Sequence, residues 1–159
     1  MDTTTEDVAI PLKLAELNLS FPEGLAFLPE NIDASTSVDD FVFPEPLRQI
    51  RKLFRANNLE FTILGKEATR LRARKNADLY LPSLFVGISL LSQNPAAISV
   101  ALSVLANYVT DFFKGTVGSR KVSFEIYVEK ADGKTVTKIS YKGNGEGIKN
   151  LEGIIKKLE

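Results

Sequence analysis

The chain has 159 residues, 44% hydrophobic and 25% charged, and its twenty basic and twenty acidic side chains cancel to a net charge of zero. This size and balance predict one folded domain and argue against wholesale disorder. There is no Cys and no His, which excludes disulfides, thiolate nucleophiles, Cys-ligated zinc and a Ser-His-Asp triad, and removes the usual general base of neutral pH.

The N-terminal MDTTTEDVAI has no basic segment leading into an apolar one. It does not read as a secretory signal, and a cytoplasmic location is the expectation. Charge comes in blocks: residues 1–47 carry ten acids and one base, whereas residues 48–75 carry nine bases and two acids. Such blocks predict either an internal match or two binding surfaces of opposite sign.

Pro11, Pro22, Pro29, Pro44 and Pro46 crowd the start of the chain, and proline at this density breaks helices and favours extended backbone. Residues 1–45 therefore read as an acidic, proline-rich arm preceding a single α+β domain over residues 46–159. Leu17, Leu19 and Phe21 alternate, as do Phe41 and Phe43, so the arm is expected to pack against its own domain or a partner.

From residue 46 to 57 the spacing predicts a helix. Leu47, Ile50, Leu53 and Phe54 share one face, and Arg48, Arg51, Lys52 and Arg55 occupy the other. The following LEFTILGKEATRLRARKNADLYLP has period two three times over, which predicts three short antiparallel strands with Glu60 opposite Arg72 and Arg74 opposite Asp78. A helix over 66–75 competes, because KEATRLRARK contains good helix formers.

Residues 79–110 contain no charged side chain. Asn94-Pro95 suits a helix start and divides the run into predicted helices over 84–93 and 95–114. Ser99, Ser103, Asn107, Asp111 and Lys114 form a polar stripe on the longer one. A span needs about 20 apolar residues; the first helix is too short, and a central Asp costs roughly 3 kcal/mol on insertion scales. Burial in a folded core is favoured and a membrane is disfavoured.

In the last forty residues Val122, Phe124, Ile126 and Val128 alternate with Ser123, Glu125, Tyr127 and Glu129, and Asp132-Gly133 signals a hairpin. Pairing across it sets Val128 against Thr137, Ile126 against Ile139, Phe124 against Tyr141 and Tyr127 against Lys138. Ile148, Leu151, Ile155 and Leu158 stripe a final helix over 146–158. The predicted fold is α+β, an antiparallel sheet of about five strands covered by about four helices.

Candidate chemistry is sparse. KGNGEG (142–147) fits neither a dinucleotide fingerprint nor a Walker A loop and reads as a turn. Asp132-Gly133-Lys134, with Glu125 or Glu129, has the residue types of a Mg²⁺ site but sits on a hairpin tip. On a strand, Arg70, Arg72 and Arg74 project together beside Lys75; with Tyr80 and Tyr127 they make a candidate anion or nucleic-acid face. The bland reading has Glu60, Asp78 or the acidic N-terminal block neutralising these arginines. Ser99, Ser103 and Asn107 are a candidate subunit contact, small enough for close approach between helices.

No cofactor, metal site, catalytic constellation or small-molecule substrate is indicated. The leading expectation is a non-enzymatic interaction module that binds itself or a protein partner through its acidic arm and basic face. A nucleic-acid binder and a membrane-active protein are the alternatives.

Overall fold

The computed structural model of the chain describes residues 2–65, 70–73, 78–115, 121–130 and 135–158. These residues build a mixed α/β fold with five α-helices and a seven-stranded sheet.

The hairpin organises the sheet. β8 (Val122–Glu129) pairs antiparallel with β9 (Val136–Gly143), placing Phe124 opposite Tyr141, Ile126 opposite Ile139, Tyr127 opposite Lys138 and Val128 opposite Thr137. Alternation fixes this register, because a slip of one residue would turn the apolar row outward. The turn at Asp132-Gly133 lies outside the described residues.

The sheet is not purely antiparallel. Its order is β1 (Asp2–Val8), β9, β8, β7 (Ser83–Val86), β2 (Leu25–Leu28), β4 (Thr62–Ile63), with β6 (Leu79–Tyr80) also pairing β8. β7 and β6 both run parallel to β8, and β4 runs parallel to β2. The predicted antiparallel trio over 59–81 is therefore corrected. Its three strands exist, but each pairs elsewhere: β4 with β2, β6 with β8, and β5 (Arg70–Arg72) with β3 (Val42–Pro44) in a separate two-stranded sheet. Period two identifies a strand without naming its neighbour.

The predicted helix over 84–93 is also corrected. Leu84, Phe85 and Val86 form the central strand β7, at most 1% exposed, and only Ile88–Gln93 is helical (α3). A strand buried on both faces reads as a continuous apolar run, which periodicity does not separate from a helix.

The expected extended arm is likewise not what residues 1–45 form. Asp2–Val8 is an edge strand along β9, Ile10–Glu16 is helix α1, and Leu25–Leu28 lies between β7 and β4. Strands from both sides of residue 45 hydrogen-bond in one sheet.

The helices α2 (Leu47–Ala56) and α4 (Pro95–Phe113) match their predicted spans. The final helix is broken into a 3-10 turn at Glu146–Ile148 and α5 (Leu151–Lys157). α2 packs on the sheet face of Phe27, Leu84 and Ile126, its Phe54 ring 5.2 Å from that of Phe27, and α4 lies beside α2 and α5. On the opposite face Phe21 covers Phe85, their rings 5.8 Å apart.

Candidate functional site

The basic segment meets the acidic N-terminal block within the chain. The Arg70 guanidinium donates to the Asp39 carbonyl at 2.5 Å, and that of Arg72 pairs with the Glu30 carboxylate at 3.2 Å. Asp78 pairs with Lys142, at 3.6 Å. Arg74 and Lys75 lie outside the described residues. Tyr127 is 3% exposed and has no free ring face on which a base could stack. The sequence grouped it with Tyr80 on one open face. The two do share a side of the sheet, through Ser123 and Phe85 respectively, but that side is covered at Tyr127.

Lys138 organises the covered part. Its ammonium lies 2.7 Å from Glu125, 3.9 Å from Glu6 and 5.9 Å above the Tyr127 ring. Burial works against the charged ammonium, but the hydrogen bond and charge of Glu125, with Glu6 and Asp33 beyond, outweigh it and hold the Lys138 pKa above its usual value. Burial first, then the carboxylates of Glu125, Asp33 and Glu6, push the Tyr127 phenol well above its ordinary pKa.

Next to this cluster the same face opens into a groove of ≈ 380 Å³. A bulge shapes it. Tyr80 lies opposite Ser123 and Leu84 opposite Ile126, so three residues of one strand face two of the other. Pro82 supplies no N–H there, while Leu81 donates to the Ser123 carbonyl at 3.0 Å. The extra residue lets Tyr80 and Ser83 both line the groove, with Glu30 and Pro44 on one wall and Ser123, Glu125 and Ser140 from the hairpin. From the sequence, Glu125 was placed diagonal to Lys138 and named as a conceivable metal ligand, whereas Ser83 and Ser140 were missed. The Leu81-Pro82-Ser83 interruption was the available signal.

Of the other acids nominated for a metal, Asp132 lies outside the described residues and Glu129 is occupied. Glu129 accepts from the Ile88 N–H at 2.9 Å, at the start of α3. Among the described residues no group of three or more acids is placed to hold a cation. KGNGEG is a structural turn: the Tyr141 hydroxyl donates to the Asn144 carbonyl at 2.7 Å, Asn144 accepts from the Gly147 N–H at 2.9 Å, and Gly145 packs under Val109 and Thr110 of α4.

The candidate subunit contact divides. Ser99 faces α5, donating to Glu152 Oε1 at 2.6 Å and also contacting Oε2, so it serves an internal helix–helix contact. Ser103 is half-buried and Asn107 is exposed. Asn107 borders a second groove of ≈ 390 Å³ with Leu53, Val104, Tyr108 and Phe112. Large apolar side chains are exposed on this helical layer, with Val100 at 39%, Leu53 at 36% and Phe112 at 51%. Their only charged neighbour in the groove lining is Asp111. Compared with known protein families, with characterised proteins and with solved structures, the chain matches none.

Proposed function

We propose that the chain is a non-enzymatic assembly module that docks a second copy of itself through the outward face of α4 and the adjoining Leu53 of α2. The observation that carries this reading is the surface of α4. From Pro95 to Thr110 it has no charged side chain, although Ala96, Val100, Asn107 and Thr110 are exposed. A solvated helix face in a chain that is one-quarter charged ordinarily carries lysines and glutamates.

The charge-free Pro95–Thr110 stretch suits an identical partner, because two copies meeting there bring no like charges together and desolvate no ion, while Asp111 sits at its end in the groove lining. The α4–α2 layer, ~28 Å long and ~20 Å wide with the exposed Arg48, Lys52, Arg55 and Asp111 as a charged rim, buries roughly 1,100 Å² over two partners, the low end for a specific interface. The association is therefore weak and reversible. Sedimentation equilibrium tests it: the unaltered chain is expected to show a monomer–dimer equilibrium at micromolar concentration, and Val100→Glu a monomer with an unchanged circular dichroism spectrum. A strictly monomeric unaltered chain contradicts the proposal.

A second reading, insertion of α4 into lipid, has in its favour 19 residues with a mean hydropathy of 1.5 over the best window. It requires Ile98, Ala101, Leu102, Leu105 and Val109, each at most 3% exposed, to abandon the core. Co-flotation of the chain with liposomes would favour it over self-association.

A further inference from the structure

The groove at the β6–β7 bulge is chemically unlike the rest of the surface. Among the described residues, three polar ones are buried: Ser35, Ser83 and Thr137. Ser35 donates to the Asn31 carbonyl at 2.8 Å and Thr137 to Asp7 at 3.0 Å. Ser83, 6% exposed, lines the groove, and among the described residues nothing hydrogen-bonds its hydroxyl. Thr4, Ser123 and Ser140 line the same groove, and their hydroxyls are likewise uncommitted among the described residues.

The charged residues of the lining are matched: Glu30 with Arg72 at 3.2 Å, Glu125 with Lys138 at 2.7 Å, and Lys142 with Asp78 at 3.6 Å. From these features we infer that the groove binds a neutral, polyhydroxylated ligand of saccharide type. A hydroxyl both donates and accepts, so a row of uncommitted hydroxyls is complementary to groups that do the same. The two carboxylates accept from ligand hydroxyls in charge-assisted hydrogen bonds. The Tyr80 ring adds an apolar surface for the C–H face of a pyranose, and ≈ 380 Å³ falls within the range of small-ligand sites.

Other ligand classes fit less well. A phosphate would face Glu30 and Glu125. A peptide strand gains affinity by pairing with a free sheet edge, whereas the floor here is a sheet face whose backbone groups are spent in the ladder. The groove and α4 lie on opposite sides of the sheet, so this inference is independent of self-association, and the Val100→Glu chain is expected to bind equally.

The test is chemical-shift mapping on the isotopically labelled full chain with cellobiose, maltose and chitobiose at millimolar concentration, and with AMP and trilysine as charged comparators. The expected result is saturable shifts at the amides of Ser83, Ser123 and Ser140 with at least one disaccharide. Ser123→Ala/Ser140→Ala should weaken binding about tenfold or more, and because both side chains are only half-buried the fold stays intact for the comparison. The inference is overturned if no disaccharide shifts these amides, if AMP or trilysine shifts them instead, or if the double variant binds as the unaltered chain does.

Discussion

Replacing Tyr127 by Phe isolates the electrostatics of the covered sheet face. The phenol is 3% exposed, and among the described residues its hydroxyl has no hydrogen bond, so at neutral pH the change in stability should stay below ~1 kcal/mol. At high pH it should not. Burial and then the carboxylates of Glu125, Asp33 and Glu6 raise this pKa in the folded chain above the ordinary phenol value of 10.0, so the native state keeps a proton that the unfolded state loses. Stability therefore falls as pH climbs from about 10 towards the folded pKa, at up to ~1.4 kcal/mol per pH unit for each such group.

Tyr108 and Tyr141, raised chiefly by burial, act in the same direction, as does Lys138, whose carboxylate partners outweigh the effect of burial. Lys138 stabilises the fold below its unfolded value of 10.5, and that contribution disappears as pH passes the folded pKa. Urea titrations from neutral pH to about pH 11 should show a steep alkaline loss, with the Tyr127→Phe slope shallower by up to ~1.4 kcal/mol per unit. Identical slopes for the two chains above pH 10, or a folded Tyr127 that ionises at its unfolded value, would refute the reasoning.

Phe54→Ala removes the centre of a ring cluster in which Phe54 lies 5.2 Å from Phe27 and 5.8 Å from Phe61. It should cost ~3–5 kcal/mol, visible as a fall in Tm of about 2–4 °C per kcal/mol. Ser99→Ala leaves Glu152 without its hydroxyl donor and should cost ~1.5–3 kcal/mol in denaturant unfolding; a neutral result would mean the α4–α5 contact relies on apolar packing alone. A methyl group at Gly143 would sit 2.5 Å from the Tyr141 hydroxyl, so Gly143→Ala should cost ~1–3 kcal/mol. The cost should shrink in a Tyr141→Phe background, and a double-mutant cycle checks this coupling.

The hairpin was legible in the sequence down to its register, because both faces of β8 and β9 impose alternation and their charges pair in only one alignment. Helices α2 and α4 were legible from their spacing and from Pro95. β7 was not, since SLFV is buried on both faces and has no period to read. β1 was not, since DTTTEDV is an edge strand with no apolar row; its β-branched threonines were the only hint.

The pairing of Glu30 with Arg72, 42 positions apart, belongs to tertiary structure; the opposite charge of the two blocks was compatible with an internal match or with two separate binding surfaces. The groove escaped notice because its hydroxyls come from four strands: Thr4 of β1, Ser83 of β7, Ser123 of β8 and Ser140 of β9. No single stretch of sequence brings them together.

Self-association through the outward face of α4, uncharged from Pro95 to Thr110, is open to a direct test. Because the chain has no cysteine, single cysteines at Ala96, Val100, Ser103 or Asn107 report on it directly under mild oxidation, with Lys149→Cys as a control away from the face. A disulfide forms only where Cα atoms come within about 7 Å. Disulfide-linked dimers are expected at one or more of the four α4 positions, with none at residue 149. Monomer at every α4 position, or linkage as rapid at residue 149, would contradict it.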